Sequence, residues 1–147
     1  MIKQITWEEI LPIWRNKLWE NRISPIETNS AMIYLGGYDM NNMSTTPTFF
    51  GYILDDKIVG VYSGHLCSDG SYRSRGIWVD PDYRNKGIGK ALISESIDQA
   101  RKEGCSTTWA YPRKSTWPIF KSLGFELASE WSSSETSDAN AYVVCIL

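Results

Sequence analysis

Hydrophobic side chains recur every three or four residues between about Gly87 and Glu103. This spacing places them on one face of a helix, with the polar residues between them on the other. Gly104 is suited to end the helix, because a residue in the left-handed conformation commonly follows the last helical turn. The apolar positions of this predicted helix are Ile88, Leu92, Ile93, Ile97 and Ala100.

Two further helices are predicted from their start and stop signals. Thr6 and Glu9 have the spacing of a capping box, so a helix should follow Thr6. Ser115 is suited to cap a second helix, which tolerates Pro118 in its first turn and ends at Gly124.

Short segments between polar turns predict strands. Asp55-Asp56 would connect a hairpin and residues 67–71 a second turn, so the three strands around them should form an antiparallel meander. One sheet whose strands are interspersed with helices is an α+β or mixed α/β fold. The predicted strands are Ile2–Ile5, Phe49–Leu54, Lys57–Leu66, Tyr72–Val79, Thr107–Ala110, Phe125–Trp131 and Ala141–Leu147.

Residues 20–48 show little regular pattern. Pro25 and the pair Gly36-Gly37 interrupt them, and we expect only a short helix around Asn29–Leu35. A segment of this length without a regular pattern is often functional.

Two closely spaced glycines, Gly87 and Gly89, lie between the strand ending at Val79 and the amphipathic helix. The first N–H groups of a helix have no partner within it, and the helix dipole adds partial positive charge, so this turn is suited to phosphate. Glycine lacks Cβ and lets a pyrophosphate approach the backbone, while neighbouring lysines and Arg84 add cations. We therefore expect a diphosphate-containing cofactor.

Two other phosphate-binding patterns fit less well. Ala91 stands where a P-loop needs Ser or Thr. Leu92 stands at the third glycine of a dinucleotide-binding fingerprint, and no series of alternating strands and helices follows. The plain alternative to a binding site is a tight strand-to-helix connection with exposed lysines.

The glycine turn has the form Arg-x-x-Gly-x-Gly over residues 84–89 and resembles the acetyl-CoA signature of the GNAT superfamily of N-acetyltransferases. Downstream, residues 117–126 contain Leu-Gly-Phe and are similar to the family's helix-and-turn segment, at the usual distance. The order of strand, glycine turn, helix, short strand, helix and Leu-Gly-Phe is more specific than either motif alone. The resemblance extends over about residues 49–127.

The resemblance implies a mostly antiparallel, splayed sheet flanked by helices, in a single domain over residues 1–147. It implies that acetyl-CoA is the co-substrate and that a primary amine attacks its thioester directly, in a ternary complex. A CoA-binding module that lost catalysis, acting as a sensor or interaction protein, is the alternative. The residues implied to bind the pantetheine arm are Ile77, Trp78 and Val79, and those implied to bind the pyrophosphate are Arg84, Asn85, Lys86, Gly87, Ile88, Gly89 and Lys90.

The chain departs from the family at the position of the general acid. Phe120 replaces the usual tyrosine and has no proton to give, and Arg113 replaces an asparagine often found seven residues earlier. We expect Tyr111, just after a predicted strand, to protonate the leaving thiolate. Ser115 and Thr116 are the other candidates, and an ordinary surface tyrosine is the other interpretation of Tyr111.

No carboxylate stands out as the general base. His65 has a suitable intrinsic pKa, although a lone histidine in a strand is more often structural, and a base acting through ordered water is equally consistent. Glu27 and a serine-rich loop with Glu135 and Asp138 would favour a cationic acceptor, unless that loop is simply solvated.

Composition narrows the partners and the compartment. The 147 residues suit one domain, and a net charge of -2 gives no global preference for nucleic acid or an acidic membrane surface. Three cysteines without Cys-x-x-Cys spacing indicate reduced thiols, and a single histidine argues against a zinc site. No basic segment with an apolar core starts the chain, and no apolar run approaches about 18 residues. We expect a cytoplasmic enzyme without metal, acting on a small-molecule or peptide amine, with no nucleic-acid or membrane partner; a homodimer is left open.

Overall fold

The structure is a computed structural model that describes residues 1–132 and 139–147. In these ranges one seven-stranded sheet forms, and its neighbouring strands are antiparallel except for the fourth and fifth. The strands are β1 (Ile2–Ile5), β2 (Thr48–Leu54), β3 (Lys57–Leu66), β4 (Tyr72–Val79), β5 (Thr107–Ala110), β6 (Glu126–Leu127) and β7 (Val143–Ile146). Their order across the sheet is β1-β2-β3-β4-β5-β7-β6. The predicted α+β class, with a mostly antiparallel sheet, is confirmed.

Helices pack on both faces of the sheet. They are α1 (Trp7–Ile13), α2 (Ile88–Lys102) and α3 (Trp117–Ser122). Val61 of β3 packs with α1, whereas the adjacent Tyr62 packs with α2 and α3, because successive side chains of a strand point to opposite faces. Within the described ranges no helix is long and apolar enough to cross a membrane.

Local sequence signals correctly predicted the first two helices. The N–H of Glu9 donates to Thr6 Oγ1 at 3.2 Å and the N–H of Thr6 donates to Glu9 Oε1 at 3.0 Å, which completes the capping box. Gly104 follows α2 with φ +80°, as its role in ending the helix requires. The five apolar residues assigned to the inner face of α2 are all buried: Ile88, Leu92, Ile93, Ile97 and Ala100.

The helix expected around Asn29–Leu35 does not form. The chain reverses there instead, with Leu35 at φ +69° followed by two glycines at positive φ, and Met32 forms an isolated antiparallel bridge with Tyr38. The buried side-chain amide of Asn29 donates to the carbonyls of Asn42 and Thr45, at 2.8 and 2.9 Å. Side-chain hydrogen bonds to the backbone therefore replace helical ones in this segment.

The boundaries of the last helix and the last two strands also differ from the prediction. Ser115 caps no helix; residues 114–116 form a 3-10 turn in which Thr116 Oγ1 donates to Arg113 O at 2.9 Å, and α3 begins after it. The last two strands are shorter than predicted. Beyond Leu127, the Ser129 hydroxyl accepts the N–H of Tyr142 at 2.9 Å and takes the place of a backbone partner.

In the middle of the sheet, β4 contains a bulge and separates from β5. β4 pairs with β5 at Tyr72↔Thr108 and Arg73↔Trp109, and the two strands then part. Against β3, pairing passes from Ser63↔Arg75 to Val61↔Trp78, so β4 carries one extra residue. Gly76, within the bulge, has φ +79°, and its carbonyl accepts the indole N–H of Trp14 at 2.8 Å.

Candidate active site

A cleft of about 830 Å³ opens where β4 and β5 separate. β3 pairs with one edge of β4 as far as Val79, whereas the other edge loses its partner strand after Arg73. Backbone N–H and C=O groups normally find partners when they are removed from water. The edge of β4 over residues 74–79 therefore has no partner strand, and its remaining amide groups suit an extended ligand. The carbonyls of Ser74, Gly76 and Val79 already accept side-chain hydrogen bonds. Ile77, Trp78 and Val79, predicted to pair with pantetheine, line this cleft.

The glycine turn closes one end of the same cleft. Gly87 has φ +80°, a conformation that L side chains rarely adopt, and α2 starts there without a side-chain cap. The first N–H groups of α2 thus remain available to an anion. A Cβ added to Gly87 would meet nothing within 4 Å, and one added to Gly89 would lie 3.4 Å from Ile119 Cδ1, in cleft space.

Cations stand beside this turn. Arg84 lines the cleft and is held by a hydrogen bond of 3.0 Å from its Nε to Val79 O. Lys90, in the first turn of α2, also lines the cleft. Lys86 is absent from the lining, and its ammonium lies 5.4 Å from the ring centroid of Tyr83. Of the seven turn residues assigned to the cofactor, the six that line the cleft are Arg84, Asn85, Gly87, Ile88, Gly89 and Lys90.

Tyr111 lies on the opposite wall, just beyond β5, and lines the cleft. Its carbonyl accepts a hydrogen bond of 3.1 Å from Asn140 Nδ2, and its ring centroid is 4.5 Å from that of Tyr142. These contacts hold a phenol beside the separation of the strands. Phe120 forms part of the inner wall, 1% exposed, with its ring 5.1 Å from Phe125.

His65 lies outside the cleft lining and is 1% exposed. Its Nε2 accepts the N–H of Ser30 at 3.1 Å, so Nδ1 carries the proton and donates to Leu66 O at 3.1 Å. Burial, together with the charges of Arg73 and Arg75, lowers the pKa of His65 to about 4. A neutral ring with both nitrogens engaged holds residue 30 against β3.

The structure adds two cleft residues to which the sequence analysis gave no role, Arg73 and Arg75. Their spacing of two on a strand is the signal that puts them on one face. The backbone carbonyl of Glu27 accepts a hydrogen bond of 3.1 Å from Arg75 Nη1, and the expectation that its carboxylate favours a cationic acceptor stays a prediction. Glu135 and Asp138 lie outside the described residues. Within the ranges described, no group of three or more His, Cys, Asp or Glu side chains is arranged to hold a metal.

Comparison with known proteins agrees with the geometry. A segment of 56 residues is 41% identical to the [ribosomal protein bS18]-alanine N-acetyltransferase of Escherichia coli K12, and covers 36% of this chain and 38% of that protein. A segment of 47 residues is 38% identical to the glucosamine 6-phosphate N-acetyltransferase of Trypanosoma brucei brucei, and covers 32% of each. The matched segments thus span about a third of these relatives' length.

Solved structures share the fold over the whole chain. The IAA acetyltransferase from Bacillus cereus superimposes with a TM-score of 0.71 at 15% identity, covering 100% of this chain and 99% of that one. N-acetylglutamate synthase from Neisseria gonorrhoeae, complexed with coenzyme A and N-acetyl-glutamate, gives 0.69 at 20% identity, covering 100% of this chain and 35% of that one. Residues 11–125 match the model of the acetyltransferase (GNAT) family. With that match covering most of its length, the chain belongs to the GNAT acetyltransferase family.

Proposed function

We propose that this protein transfers the acetyl group of acetyl-CoA to a primary amine. One observation carries the proposal: the unpaired edge of β4 and the uncapped start of α2 line a single cleft. An extended, amide-containing arm suits the strand edge, and a diphosphate suits the helix N-terminus. The relatives that share sequence with this chain are named N-acetyltransferases, which supports the same reaction class.

The residues of the cleft suit acyl transfer by positioning and proton movement. Bound acetyl-CoA supplies the thioester carbonyl that the amine attacks. The β4 edge from residue 74 onwards fixes the direction of the arm, while Arg84 and Lys90 oppose the diphosphate charge. Tyr111, on the facing wall, donates its phenolic proton towards the departing sulfur. This requirement is modest, since a thiol pKa of about 8.5 makes thiolate a tolerable leaving group.

The proton that the amine loses passes through water to the solvent, because His65 is not placed to accept it. The ring of His65 uses Nε2 for Ser30 N and Nδ1 for Leu66 O, and it does not reach the cleft lining. A base must lie within hydrogen-bonding reach of the proton it removes, directly or through one water.

A second candidate function is CoA binding without catalysis, in a sensor or interaction module. Phe120 favours it, because a buried phenylalanine stands where the resembled family has its acid. Both candidates require CoA to bind, and only the first requires turnover.

Release of free thiol from acetyl-CoA, followed over a panel of primary amines, tests the proposal. We expect thiol to form at a rate that depends on the amine and saturates with both substrates. Thiol that never exceeds spontaneous hydrolysis, from a protein that still binds CoA, would favour the module. A protein that neither binds CoA nor releases thiol would contradict both functions.

A further inference from the structure

Two buried guanidinium groups lie where β4 and β5 separate. Arg73 belongs to the last β4–β5 pair and Arg75 follows two residues later on the same face, at 6% and 7% exposure. Both residues line the cleft. They lie far along β4 from the glycine turn, which already has Arg84 and Lys90 as cations.

Neither arginine forms a salt bridge among the described residues, and the Glu27 carboxylate acts on Arg75 only from a longer distance. Arg73 donates from Nε to Ser74 O at 3.2 Å and from Nη1 to Met32 Sδ at 3.6 Å, and Arg75 donates from Nη1 to Glu27 O at 3.1 Å. A guanidinium has five N–H donors, so most of those on Arg75 are left for a further partner. Burying a charge with so few partners is costly, which favours a ligand that completes the set.

Aromatic rings hold both groups in place. The guanidinium carbon of Arg73 lies 4.6 Å from the ring centroid of Trp109, and that of Arg75 lies 4.9 Å from Trp14 and 5.2 Å from Trp19. Burial lowers the pKa of Arg73 to about 10 and that of Arg75 to about 9, so both remain charged at neutral pH. Fixed, charged forks in a partly dry cleft are suited to bind a planar or tetrahedral oxyanion by two hydrogen bonds.

The direction of the side chains assigns the pair to the amine acceptor. They lie on the sheet face covered by α1 and by residues 20–48, as the contacts with Trp14, Glu27 and Met32 show. The other face of β4 at this level is closed by the Tyr62–Ser74 hydrogen bond. Trp109, which stacks on Arg73, is two residues before Tyr111, the proposed proton donor.

Building on the proposed function, we infer that the acceptor is a small amine that also carries an oxyanion, a carboxylate or a phosphate, bound by Arg75 and Arg73. The acceptor's amine then lies near Tyr111 while its oxyanion occupies the arginine pair. A free amino acid or an aminoalkyl phosphate fits this description, whereas a polyamine or a peptide N-terminus does not. This acceptor differs from the cationic one that Glu27 and the acidic loop led us to expect.

Matched acceptor pairs test the inference on the wild-type protein. Each standard amino acid is compared with its C-terminal amide, and phosphoethanolamine with ethanolamine, by thiol release from acetyl-CoA. Rates are expressed per concentration of neutral amine, because the acidic group changes the amine pKa. We expect kcat/KM to be roughly tenfold or more higher for the acidic member of at least one pair. The pair that shows the preference distinguishes carboxylate from phosphate, and equal rates within every active pair would overturn the inference.

Variants connect the preference to the arginines. Arg75→Gln should reduce the acid-over-amide preference roughly tenfold through KM, and Arg75→Lys should restore part of it, since it keeps the charge without the fork. The control is Arg22→Gln, which removes an exposed charge 5.1 Å from the Trp19 ring and outside the cleft lining. The control should keep the preference; an equal loss in both variants would show long-range electrostatics instead of binding and would contradict the inference.

Direct binding separates this inference from the proposed function. With CoA bound, the preferred acid should change the tryptophan fluorescence saturably, because Arg73 and Arg75 stack on three indoles. Its amide should not. Acid-specific binding without any thiol release would refute transfer and retain the oxyanion site. Transfer to amides and acids alike, without acid-specific binding, would refute the oxyanion site and retain the transfer reaction.

Discussion

At the residue scale, the proposed function depends most on the proposed proton donor, Tyr111. Tyr111 lines the cleft while its ring packs on Tyr142, and Phe120 is part of the core. Tyr111→Phe keeps the ring and removes only the hydroxyl, so the fold and the CoA affinity should persist. We expect kcat to fall roughly 10²-fold or more, as for loss of a general acid. Steady-state kinetics on the amine that gives the fastest thiol release measures it.

Two comparisons make the Tyr111 result specific. Tyr52→Phe removes the hydroxyl of a half-buried tyrosine on β2, outside the cleft lining, and should leave kcat unchanged. Phe120→Tyr should change kcat by less than roughly tenfold, which is about 1.4 kcal/mol of barrier. Wild-type turnover in Tyr111→Phe would remove Tyr111 from the mechanism, and an inert protein activated by Phe120→Tyr would support the non-catalytic module.

The buried histidine predicts a pH dependence of stability. The pKa of His65 is about 4 in the folded protein, below the 6.5 expected when the ring is in water, because burial disfavours its charged form. Between these values the unfolded chain binds the extra proton, so the free energy of unfolding falls as the pH drops from about 6.5 to about 4. The shift corresponds to roughly 3 kcal/mol over that window.

Denaturant unfolding at pH 7 and pH 4.5 checks this dependence. Between pH 7 and pH 4.5, the free energy of unfolding should fall by about 2 to 3 kcal/mol more in the wild type than in His65→Gln. The difference between the two proteins is the relevant quantity, since it removes the contribution of carboxylates common to both. Identical losses would mean that His65 already takes up its proton in the folded state.

At the scale of elements, the bulge in β4 links α1 to the cleft. A Cβ on Gly76 would overlap the ring of Trp14, and Gly76 also has φ +79°. Gly76→Ala should therefore combine left-handed strain with overpacking and lower the free energy of unfolding by more than about 2 kcal/mol. Because residues 77–79 follow the bulge, the stabilisation of the variant by CoA should also fall.

Gly70→Ala is the matched control for the bulge. Gly70 has φ +86° in the turn between β3 and β4, and its added Cβ would meet nothing within 4 Å. Gly70→Ala should therefore lower the free energy of unfolding only through backbone strain, by about 1 kcal/mol, and CoA should stabilise this variant normally. Denaturant and thermal unfolding, with and without CoA, compare the two. Equal effects in both variants would mean that the contact with Trp14 does not matter.

At the scale of the whole molecule, the cleft combines the glycine turn before α2 with the edge of β4. We expect ATP to use only the first of these and CoA to use both. Both ligands carry phosphates for the α2 turn, but only CoA has an arm for the β4 edge. CoA at a hundredfold excess over its Kd should stabilise the protein by about 2.7 kcal/mol, which is a rise in Tm of roughly 5–10 °C. ATP at the same concentration should raise Tm much less. Equal shifts would show that the free edge of β4 takes no part in binding.

The sequence by itself determined the features that depend on neighbours along the chain. The capping box at Thr6, the amphipathic face of α2 and the termination at Gly104 each need only a few consecutive residues, and all three are found. The left-handed Gly87 before α2 belongs to the same class, because backbone conformation is a local property. The order of these elements was also enough to indicate the family.

Tertiary structure decided what depends on partners far apart in sequence. The separation of β4 from β5 depends on both strands together. His65 is neutral because it is buried and because its Nε2 accepts the N–H of Ser30, 35 positions earlier in the chain. Residues 29–35 form a turn rather than a helix because the carbonyls of Asn42 and Thr45 accept hydrogen bonds from Asn29. Arg73 and Arg75 stand out only when packing buries them against three indoles without a salt bridge among the described residues. Side-chain burial and strand pairing depend on how the whole chain packs, so a local pattern of residue types does not predict them.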